Sequence, residues 1–468
     1  MFKNVIRTIV IALSVIIQVA FYYFVVNLVD YRPLVSLFAK ALAIILALII
    51  YRSNRNSSFK IAWLIFIFSV PICGLVFYIF FGHGTTLPIR KTKIISKYLE
   101  DKVEKGEDIS VLDNDPTAKR LASMLKNTTG LPLYQGTQVT YFKSGEDTYP
   151  KLLEELEKAK KFIFIEFFII ARGGMWRSVC DILERKALSG VEVKVIYDDI
   201  GTAGRLKEKD VERLNKIPNF TIVPYNPMGY NFSLSLNYRD HRKIVVIDDV
   251  VAFTGGFNIG DEYIQQQKRF GYWRDTAIKL VGDAVYSFIV LFAQDWFICT
   301  KQIINTIDYS SIESSTNDGF VFPFGDGPTN AENPMYKLFG SLLGAATKYV
   351  YISTPYFIID KEFIGMVELA CKSGVEVNIL VPHIPDKKFV FFTTRAHYGD
   401  ILRAGGKIYE FTPGFNHAKN FIVDDKYAFC GTTNCDYRSL YLHFECGSLL
   451  INNTCIKDMK EDFEKALS

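Results

Sequence analysis

Two segments of this chain place a histidine, a lysine and an aspartate at identical spacing. Both follow the pattern HxKxxxxD, which on its own recurs by chance in many proteins. Two copies with the same internal spacing are much harder to obtain by chance, so they predict a duplicated catalytic site. The six residues are His241, Lys243 and Asp248 in the first copy, and His417, Lys419 and Asp424 in the second.

Glycine and asparagine residues follow each copy at a matching distance. Six residues separate Asp248 from Gly255, and six separate Asp424 from Gly431. Because glycine has no Cβ, a phosphate or another backbone segment can approach it closely. The asparagine that follows supplies an amide donor. The residues predicted to bind a substrate phosphate are Gly255, Gly256, Asn258, Gly431, Thr432 and Asn434.

The histidines and lysines suit chemistry at a phosphodiester. His241 and Lys243 are two residues apart, so on a strand they share one face. Two such halves place two imidazoles and two ammonium groups around one pocket. The lysines would stabilise charge on the non-bridging oxygens, and one histidine would attack phosphorus. The other would protonate the leaving alcohol and deprotonate the incoming one. This scheme requires no cofactor and no metal, and no cluster of cysteines or carboxylates indicates a metal site.

Carboxylates in and after the motifs have two predicted roles. Asp248 is an odd number of residues from His241, so on a strand the two side chains would point to opposite faces. Asp248 and Asp424 belong to the catalytic motif, and a structural role in a turn is favoured for both. A nucleophilic histidine also needs a partner on its second ring nitrogen. Asp275 and Glu445, which follow the first and second motif respectively, are the candidates for this orienting role.

The elements that must position these residues alternate between strand and helix patterns. Ser189–Val193 reappears letter for letter as Ser373–Val377, so the alternation is repeated along the chain. The sequence therefore predicts two homologous α/β halves with parallel or mixed sheets, which form one pseudo-dimeric unit. In the first half the predicted strands are Gln138–Phe142, Phe162–Ile169 and Val191–Tyr197, and the predicted helices are Tyr149–Lys158 and Trp176–Leu188.

The amino-terminal part predicts a helical transmembrane region. Three apolar runs approach the roughly 20 residues that a helix needs to cross a bilayer: Thr8–Val26, Leu34–Tyr51 and Ile61–Phe81. Basic residues follow both the second and the third run, so the positive-inside rule leaves the number of spans and their sidedness open. The predicted segments are a membrane anchor 1–84, a helical connector 85–129, a first half 130–308, a linker 309–329 and a second half 330–468.

Composition excludes several classes of protein. The net charge of the 468 residues is only +4, which argues against a nucleic-acid partner. The eight cysteines form no CxxC pair, which argues against a zinc site or a disulfide framework. Four histidines outside the motifs are predicted to be ordinary surface or packing residues: His83, His383, His397 and His443. Glu166 lies on an apolar strand, and two roles are predicted for it with equal weight: a place in the wall of the site or a buried ion pair.

The motifs and their flanks resemble the phospholipase D superfamily and, within it, the bacterial cardiolipin synthases. The resemblance covers nearly the whole chain. It implies a ping-pong reaction, in which a phosphatidyl group of phosphatidylglycerol moves to a histidine, releases glycerol and then passes to a second phosphatidylglycerol. By analogy His241 is the nucleophile and His417 the acid and base. The flanks that carry the resemblance are Asn237–Lys243, Gly255–Tyr263, Tyr272–Thr276, Thr354–Phe357 and Asp436–Ser439.

The resemblance also implies membrane lipid as partner and a multi-pass location in the cell membrane, with the catalytic part on the cytoplasmic side. A phospholipase D hydrolase, with water as acceptor, and a phosphatidylserine synthase, with serine as acceptor, are the alternatives. A nuclease is less favoured, and a non-enzymatic membrane scaffold would predict decayed motifs. Cardiolipin synthases usually extend further than Ser468, which leaves the completeness of the last helix open, and the sequence predicts no oligomeric state.

Overall fold

The computed structural model describes most of the chain, which divides into two compact units with the boundary in the sequence between residues 86 and 87. The first predicted apolar run (apart from residues 20 and 23), the basic segment Arg90–Lys97, most of the connector before residue 106 and the first part of the linker lie outside the described residues. The described residues are 20, 23, 33–53, 57–82, 106–227, 238–304, 318–328, 330 and 332–467.

Within residues 33–82, the described part of the amino-terminal unit forms the helices α1 (Pro33–Arg52), α2 (Ser57–Ser69) and α3 (Pro71–Phe77), followed by a π-helical turn at Tyr78–Gly82. The third apolar run is therefore not one helix: it breaks at Val70 because Pro71 starts a new helix and has no N–H to continue the first. Trp63 packs edge-on against Tyr78, with ring centroids 5.1 Å apart. Among the described residues, no helix has the length and hydropathy needed to span a membrane.

In the described part of the second unit, a helix of the predicted connector precedes the first sheet. The helices are α4 (Pro116–Thr129), α5 (Gly145–Lys158), α6 (Gly174–Leu188), α7 (Glu208–Leu214) and α8 (Val285–Thr300). The strands are β1 (Thr137–Phe142), β2 (Phe162–Phe167), β3 (Glu192–Asp198), β4 (Phe220–Tyr225), β5 (Arg239–Asp240), β6 (Lys243–Ile247), β7 (Val251–Gly255), β8 (Tyr272–Arg274) and β9 (Ala277–Gly282). The first sheet has the order β1-β9-β7-β6-β2-β3-β4.

The remainder of the chain builds a second sheet with its own helices. The strands are β10 (Phe320–Asp326), β11 (Tyr349–Ser353), β12 (Phe357–Ile358), β13 (Glu376–Pro382), β14 (Lys407–Phe411), β15 (Gly414–Asn416), β16 (Asn420–Val423), β17 (Tyr427–Gly431), β18 (Cys435–Asp436) and β19 (His443–Ile451). The helices are α9 (Pro334–Ala345), α10 (Lys361–Lys372), α11 (Lys388–Ala396), α12 (Tyr398–Ala404), α13 (Tyr437–Tyr441) and α14 (Cys455–Leu467). The main path of this sheet is β10-β19-β17-β16-β11-β13-β14.

The two strand orders correspond position by position, so the predicted α/β repeat is present in the fold. In both sheets two parallel connections, β2-β3-β4 and β11-β13-β14, lie beside an antiparallel group that includes the motif strands β6 and β16. One predicted boundary is wrong: Phe320–Asp326 is not linker but the edge strand β10, equivalent to β1. Its apolar residues are consecutive and mostly buried, and they pair with β19.

The motifs lie at the same edge of each sheet. Lys243 pairs with Phe167 at the carboxyl end of β2, and Asn420, which follows Lys419, pairs with Ser353 at the carboxyl end of β11. The strand interiors behind this edge are buried apolar side chains, which fix the position of the polar residues at the strand ends. The fold thus places both HxK segments at the carboxyl edges of the parallel strands.

Candidate active site

Each motif histidine is oriented by a carboxylate of the opposite half. The Nδ1 atom of His241 is 3.0 Å from both carboxylate oxygens of Glu445, and that of His417 is 2.6 Å from Oδ2 of Asp275. A backbone hydrogen bond also holds His241 next to Glu445, because the amide of His241 donates to the carbonyl of Phe444 at 2.9 Å. Asp275 and Glu445 are the residues expected from the sequence, but each crosses to the other half instead of serving the motif that it follows.

The crossed pairs determine which ring nitrogen is free for chemistry. A carboxylate on Nδ1 favours the tautomer that carries its proton there, which leaves the lone pair on Nε2. Burial lowers the pKa of His241 well below 6.5, and the charges of Lys243 and Lys419 lower it further. Burial lowers the pKa of His417 to about 4, with Lys419 adding to the effect and Asp275 opposing it. Both imidazoles are therefore neutral at physiological pH.

The two motif lysines lie within the electrostatic range of both histidines. The ammonium group of Lys243 donates to the carbonyl of His241, and that of Lys419 donates to the carbonyl of His417. Each lysine is 1% exposed. Burial lowers the pKa of Lys243 to about 8 and that of Lys419 to about 7. Two cationic groups confined in a poorly hydrated site form a strong binding place for an anionic phosphodiester.

Aromatic rings cover the histidines and exclude water from them. Phe168 meets the ring of His241 edge-on at 4.9 Å, and Lys243 Nζ lies 5.6 Å from the same phenylalanine ring. Trp273 and Phe415 lie 5.2 and 5.7 Å from the ring of His417. These apolar walls lower the local dielectric constant and so strengthen every charge interaction within the site.

Asp248 and Asp424 do not touch the histidines; they have the structural role in a turn that strand parity predicted, so they leave the catalytic set although they belong to the motif. Asp248 lies beside Phe162 at the amino end of β2, five residues and about 17 Å from the edge that holds Lys243. Its carboxylate accepts the backbone N–H groups of residues 160–162, and Asp424 accepts those of residues 347–349. Both residues have positive φ, 52° and 53°, so they close a turn.

Gly256 and Thr432 contact the crossed carboxylates, and Gly255 and Gly431 pack against the neighbouring strand, so their binding of a substrate phosphate stays a prediction. A Cβ on Gly256 would lie 2.1 Å from Oδ1 of Asp275. A Cβ on Gly255 would meet the carbonyl of Thr276 at 2.3 Å, and one on Gly431 would meet that of Cys446 at 2.5 Å. The space left by these glycines is therefore filled by the neighbouring strand, the alternative that glycine also permits.

Thr432 and the two asparagines are held by protein groups. The hydroxyl of Thr432 donates to Oε2 of Glu445 at 2.5 Å, so it orders the carboxylate that orients His241. Asn258 accepts from the amide of residue 169 at 3.1 Å and donates to the hydroxyl of residue 263 at 2.8 Å. Asn434 donates to Asp436 at 3.1 Å, and its buried Oδ1 has no partner among the described residues. Direct phosphate contact by either asparagine stays a prediction.

His443 is a site residue that the sequence interpretation missed. It was expected to be an ordinary packing or surface residue, yet its ring lies 5.2 Å from that of His241 and its Nδ1 is 3.6 Å from Oε1 of Glu445. Burial lowers its pKa to about 4. Its position in the sequence could have identified it, because His443 stands two residues before Glu445 just as Trp273 stands two residues before Asp275.

A buried carboxylate cluster supports the segment that carries His241. Glu166, Asp240 and Asp295 lie within reach of one another, and the guanidinium group of Arg242 donates to Asp295 and to the carbonyl of Glu445. Burial and the two aspartates raise the pKa of Glu166 well above its usual value, and burial raises that of Asp240 to about 8. Glu166 thus lies in a buried cluster with Asp240 and Asp295, where burial favours the protonated form of its carboxyl group.

Two groups in the described part of the chain have a geometry that could hold a metal ion: Glu166 with Asp240 and Asp295, and His241 with His443 and Glu445. In the first, Arg242 already supplies the positive charge. In the second, two buried lysines act on His241, and their charges oppose a cation. Neither donor set therefore favours a metal ion.

Two protein families match this sequence. The family described as "Cardiolipin synthase, PLD-like domain" matches residues 152–296 and 340–467, which correspond to parts of the two α/β halves. The family described as phospholipase D-nuclease N-terminal matches residues 41–83, within the amino-terminal unit.

Curated relatives cover nearly the whole chain. An uncharacterized protein of Streptococcus mutans is 40% identical over 433 residues, which is 90% of this chain and 92% of that protein. The cardiolipin synthase of Alkalihalophilus pseudofirmus is 35% identical over 435 residues, which is 90% of this chain and 85% of that protein. Among solved structures, the phosphatidylserine synthase of Haemophilus influenzae has a similar fold, with a TM-score of 0.56 at 18% identity over 74% of this chain and 90% of that one.

Proposed function

This chain belongs to the cardiolipin synthase family of phospholipase D-like proteins, and we propose that it joins two phosphatidylglycerol molecules into cardiolipin and glycerol. It is a phosphatidyltransferase. The observation that carries the proposal is the pair of buried histidines, each bonded at Nδ1 to a carboxylate of the opposite half. This arrangement supplies one nucleophile and one acid-base group on opposite sides of a pseudo-symmetric site.

In the first half-reaction, Nε2 of His241 attacks phosphorus of the first phosphatidylglycerol. A phosphorus–nitrogen bond forms, the phosphorus–oxygen bond to glycerol breaks, and the glycerol oxygen takes a proton from His417. Glu445 stabilises the positive charge that develops on the phosphorylated imidazole. Lys243 and Lys419 stabilise the additional charge on the non-bridging oxygens, where their effect is greatest in the transition state.

The charge of the bound lipid adjusts the protonation of the acid. His417 is neutral in the free site because its pKa is about 4. An anionic phosphodiester close to Nε2 favours the imidazolium form, and Asp275 on Nδ1 stabilises it further. Substrate binding therefore prepares His417 to act as an acid at the moment when glycerol must leave.

In the second half-reaction, a glycerol hydroxyl of another phosphatidylglycerol gives its proton to His417. Its oxygen attacks phosphorus, the phosphorus–nitrogen bond to His241 breaks, and cardiolipin is released with both histidines restored. The aromatic rings around the site keep water scarce, which favours a lipid alcohol over hydrolysis.

A product assay tests this function. Purified full-length protein in vesicles or detergent receives phosphatidylglycerol as the sole lipid, and mass spectrometry follows the products. Cardiolipin and glycerol in equal amounts are expected. Phosphatidic acid with glycerol, and no cardiolipin, would overturn the choice of acceptor and identify a hydrolase.

Two substitutions test the paired site in the same assay. His241→Ala and His417→Ala are each expected to abolish turnover, because the two imidazoles act in one relay. His383→Ala is the matched control, since this histidine is exposed and bonds Glu410 away from the motifs. Normal cardiolipin production by either motif variant would contradict the mechanism.

We further propose that the protein is held in the cell membrane by its amino-terminal unit, with the catalytic part on the cytoplasmic side. The match of residues 41–83 to an amino-terminal family and the exposed apolar side chains of α1, such as Leu37, Ile45 and Ile49, support this location. Extraction of cell membranes with alkaline carbonate should leave the full chain in the pellet. Proteolysis of the catalytic part in inverted vesicles, but not in intact spheroplasts, is expected for the proposed sidedness.

A further inference from the structure

The residue two places before each orienting carboxylate occupies an equivalent position in the two halves. Gly255 pairs with Ala277 across β7 and β9, and Gly431 pairs with Gly447 across β17 and β19. Counting back from these pairs, Asp275 corresponds to Glu445 in the opposite half. Trp273 and His443, each two residues earlier, therefore hold the same place in the repeat: Trp273 before Asp275 and His443 before Glu445.

Both rings cover the histidine that the following carboxylate orients. Trp273 lies 5.2 Å from the ring of His417, and His443 lies 5.2 Å from the ring of His241. In the first half the indole N–H donates to Oδ2 of Asp275 at 3.4 Å. The indole therefore holds the carboxylate in place as well as packing on the imidazole.

His443 presents a nitrogen at the corresponding point. Its Nδ1 is buried, is 3.6 Å from Oε1 of Glu445, and has no hydrogen-bond partner among the described residues. An unpaired buried donor or acceptor costs about 1–3 kcal/mol. A shift of a few tenths of an ångström would bring Nδ1 of His443 within hydrogen-bond distance of Oε1 of Glu445. Hydrogen bonds of catalytic groups commonly shorten when substrate binds.

We propose that His443 is a positioning residue for His241: its neutral imidazole donates Nδ1–H to Glu445 and holds that carboxylate against Nδ1 of His241. It does for the His241–Glu445 pair what the indole of Trp273 does for the His417–Asp275 pair. Burial keeps the imidazole neutral, as its pKa of about 4 indicates. The role deepens the proposed function, because it concerns the same nucleophile.

Two substitutions separate donation from packing. His443→Asn keeps an amide donor near the place of Nδ1, whereas His443→Leu keeps bulk without a donor. The assay is the pre-steady-state burst of p-nitrophenol from a phosphatidyl p-nitrophenyl diester, which reports attack by the enzyme and needs no acceptor lipid. It therefore remains informative even if phosphatidylglycerol is not the acceptor.

The leucine variant is expected to slow the burst about tenfold or more, because a hydrogen bond to a charged group is lost. The asparagine variant should restore the rate to within about threefold, while KM stays within about twofold in both. Trp273→Phe, which keeps an aromatic ring but removes the indole N–H, is the matched control and should lower phosphatidylglycerol turnover without slowing this burst. A leucine variant as fast as the parent, or an asparagine variant as slow as leucine with an unchanged melting temperature, would overturn the proposal.

Discussion

The crossed pairing of histidines and carboxylates makes a prediction that separates the two halves of the site. Glu445→Gln removes the charge that accepts from Nδ1 of His241, and Asp275→Asn does the same for His417. A hydrogen bond to a charged group contributes about 1.5–3 kcal/mol, which corresponds to about 10- to 150-fold in rate. With phosphatidylglycerol as substrate, both variants are therefore expected to lose activity by a similar factor.

An activated substrate distinguishes the two variants. p-Nitrophenolate leaves without a proton, so a phosphatidyl p-nitrophenyl diester needs the nucleophile but not the acid. His417→Ala should retain the burst of p-nitrophenol with this substrate, whereas His241→Ala should not. The His417→Ala protein then serves as the background in which each carboxylate is replaced.

In that background, Glu445→Gln is expected to slow the burst by the full 10- to 150-fold estimated above, because it acts through His241. Asp275→Asn is expected to change nothing further, because its partner is already absent. If Asp275→Asn slowed the burst and Glu445→Gln did not, each carboxylate would serve its own half and the crossed geometry would be refuted. A burst in His241→Ala but not in His417→Ala would instead exchange the roles of the two histidines.

Three further predictions follow from the site. The kcat/KM for phosphatidylglycerol should fall as pH rises past about 7, because Lys419, with a pKa of about 7, loses its charge. It should rise as pH falls from 7 to 5.5, because His417 has a pKa of about 4 and must take up a proton to act as the acid, and a loss near pH 6.5 would contradict this. Asp424→Ala should lower the free energy of unfolding by about 1–3 kcal/mol, as measured by denaturation, while the folded protein keeps its kcat. A loss of kcat without a loss of stability would show that Asp424 has a catalytic role. Gly256→Val would place a Cβ 2.1 Å from Oδ1 of Asp275 and displace that carboxylate. The variant should reduce phosphatidylglycerol turnover about tenfold or more but leave the p-nitrophenol burst unchanged. Normal turnover would contradict the inference that Gly256 leaves room for the carboxylate of Asp275.

The sequence predicted the repeat and the residues of the site because these depend on local patterns. The alternation of apolar strands with amphipathic helices is visible within short windows, and so is the HxK spacing that places two side chains at one strand end. The strands and helices named for the first half are present in the structure within a few residues of their predicted bounds. The strand β10 escaped notice because only its pairing with β19, more than a hundred residues later, identifies it.

Pairing across the two halves could not be deduced in this way. His241 and Glu445 are separated by 204 positions in the sequence and His417 and Asp275 by 142, and nothing in either segment states which partner it will meet. The roles of Gly256 and of His443 depend on the same docking. Gly256 lies against Asp275, which bonds His417 of the other half, and His443 lies beside the ring of His241 of the other half.

The sequence by itself therefore determined which side chains carry the chemistry, since motif spacing and strand periodicity are properties of neighbouring residues. Only the tertiary structure decided that each histidine takes its carboxylate from the opposite half, that Asp248 and Asp424 accept backbone N–H groups at the far edge of their sheets, and that a third imidazole lies beside His241. The physical reason is that side-chain hydrogen bonds act over about 3 Å. Which atoms come that close is fixed by the packing of two whole sheets and not by any local pattern.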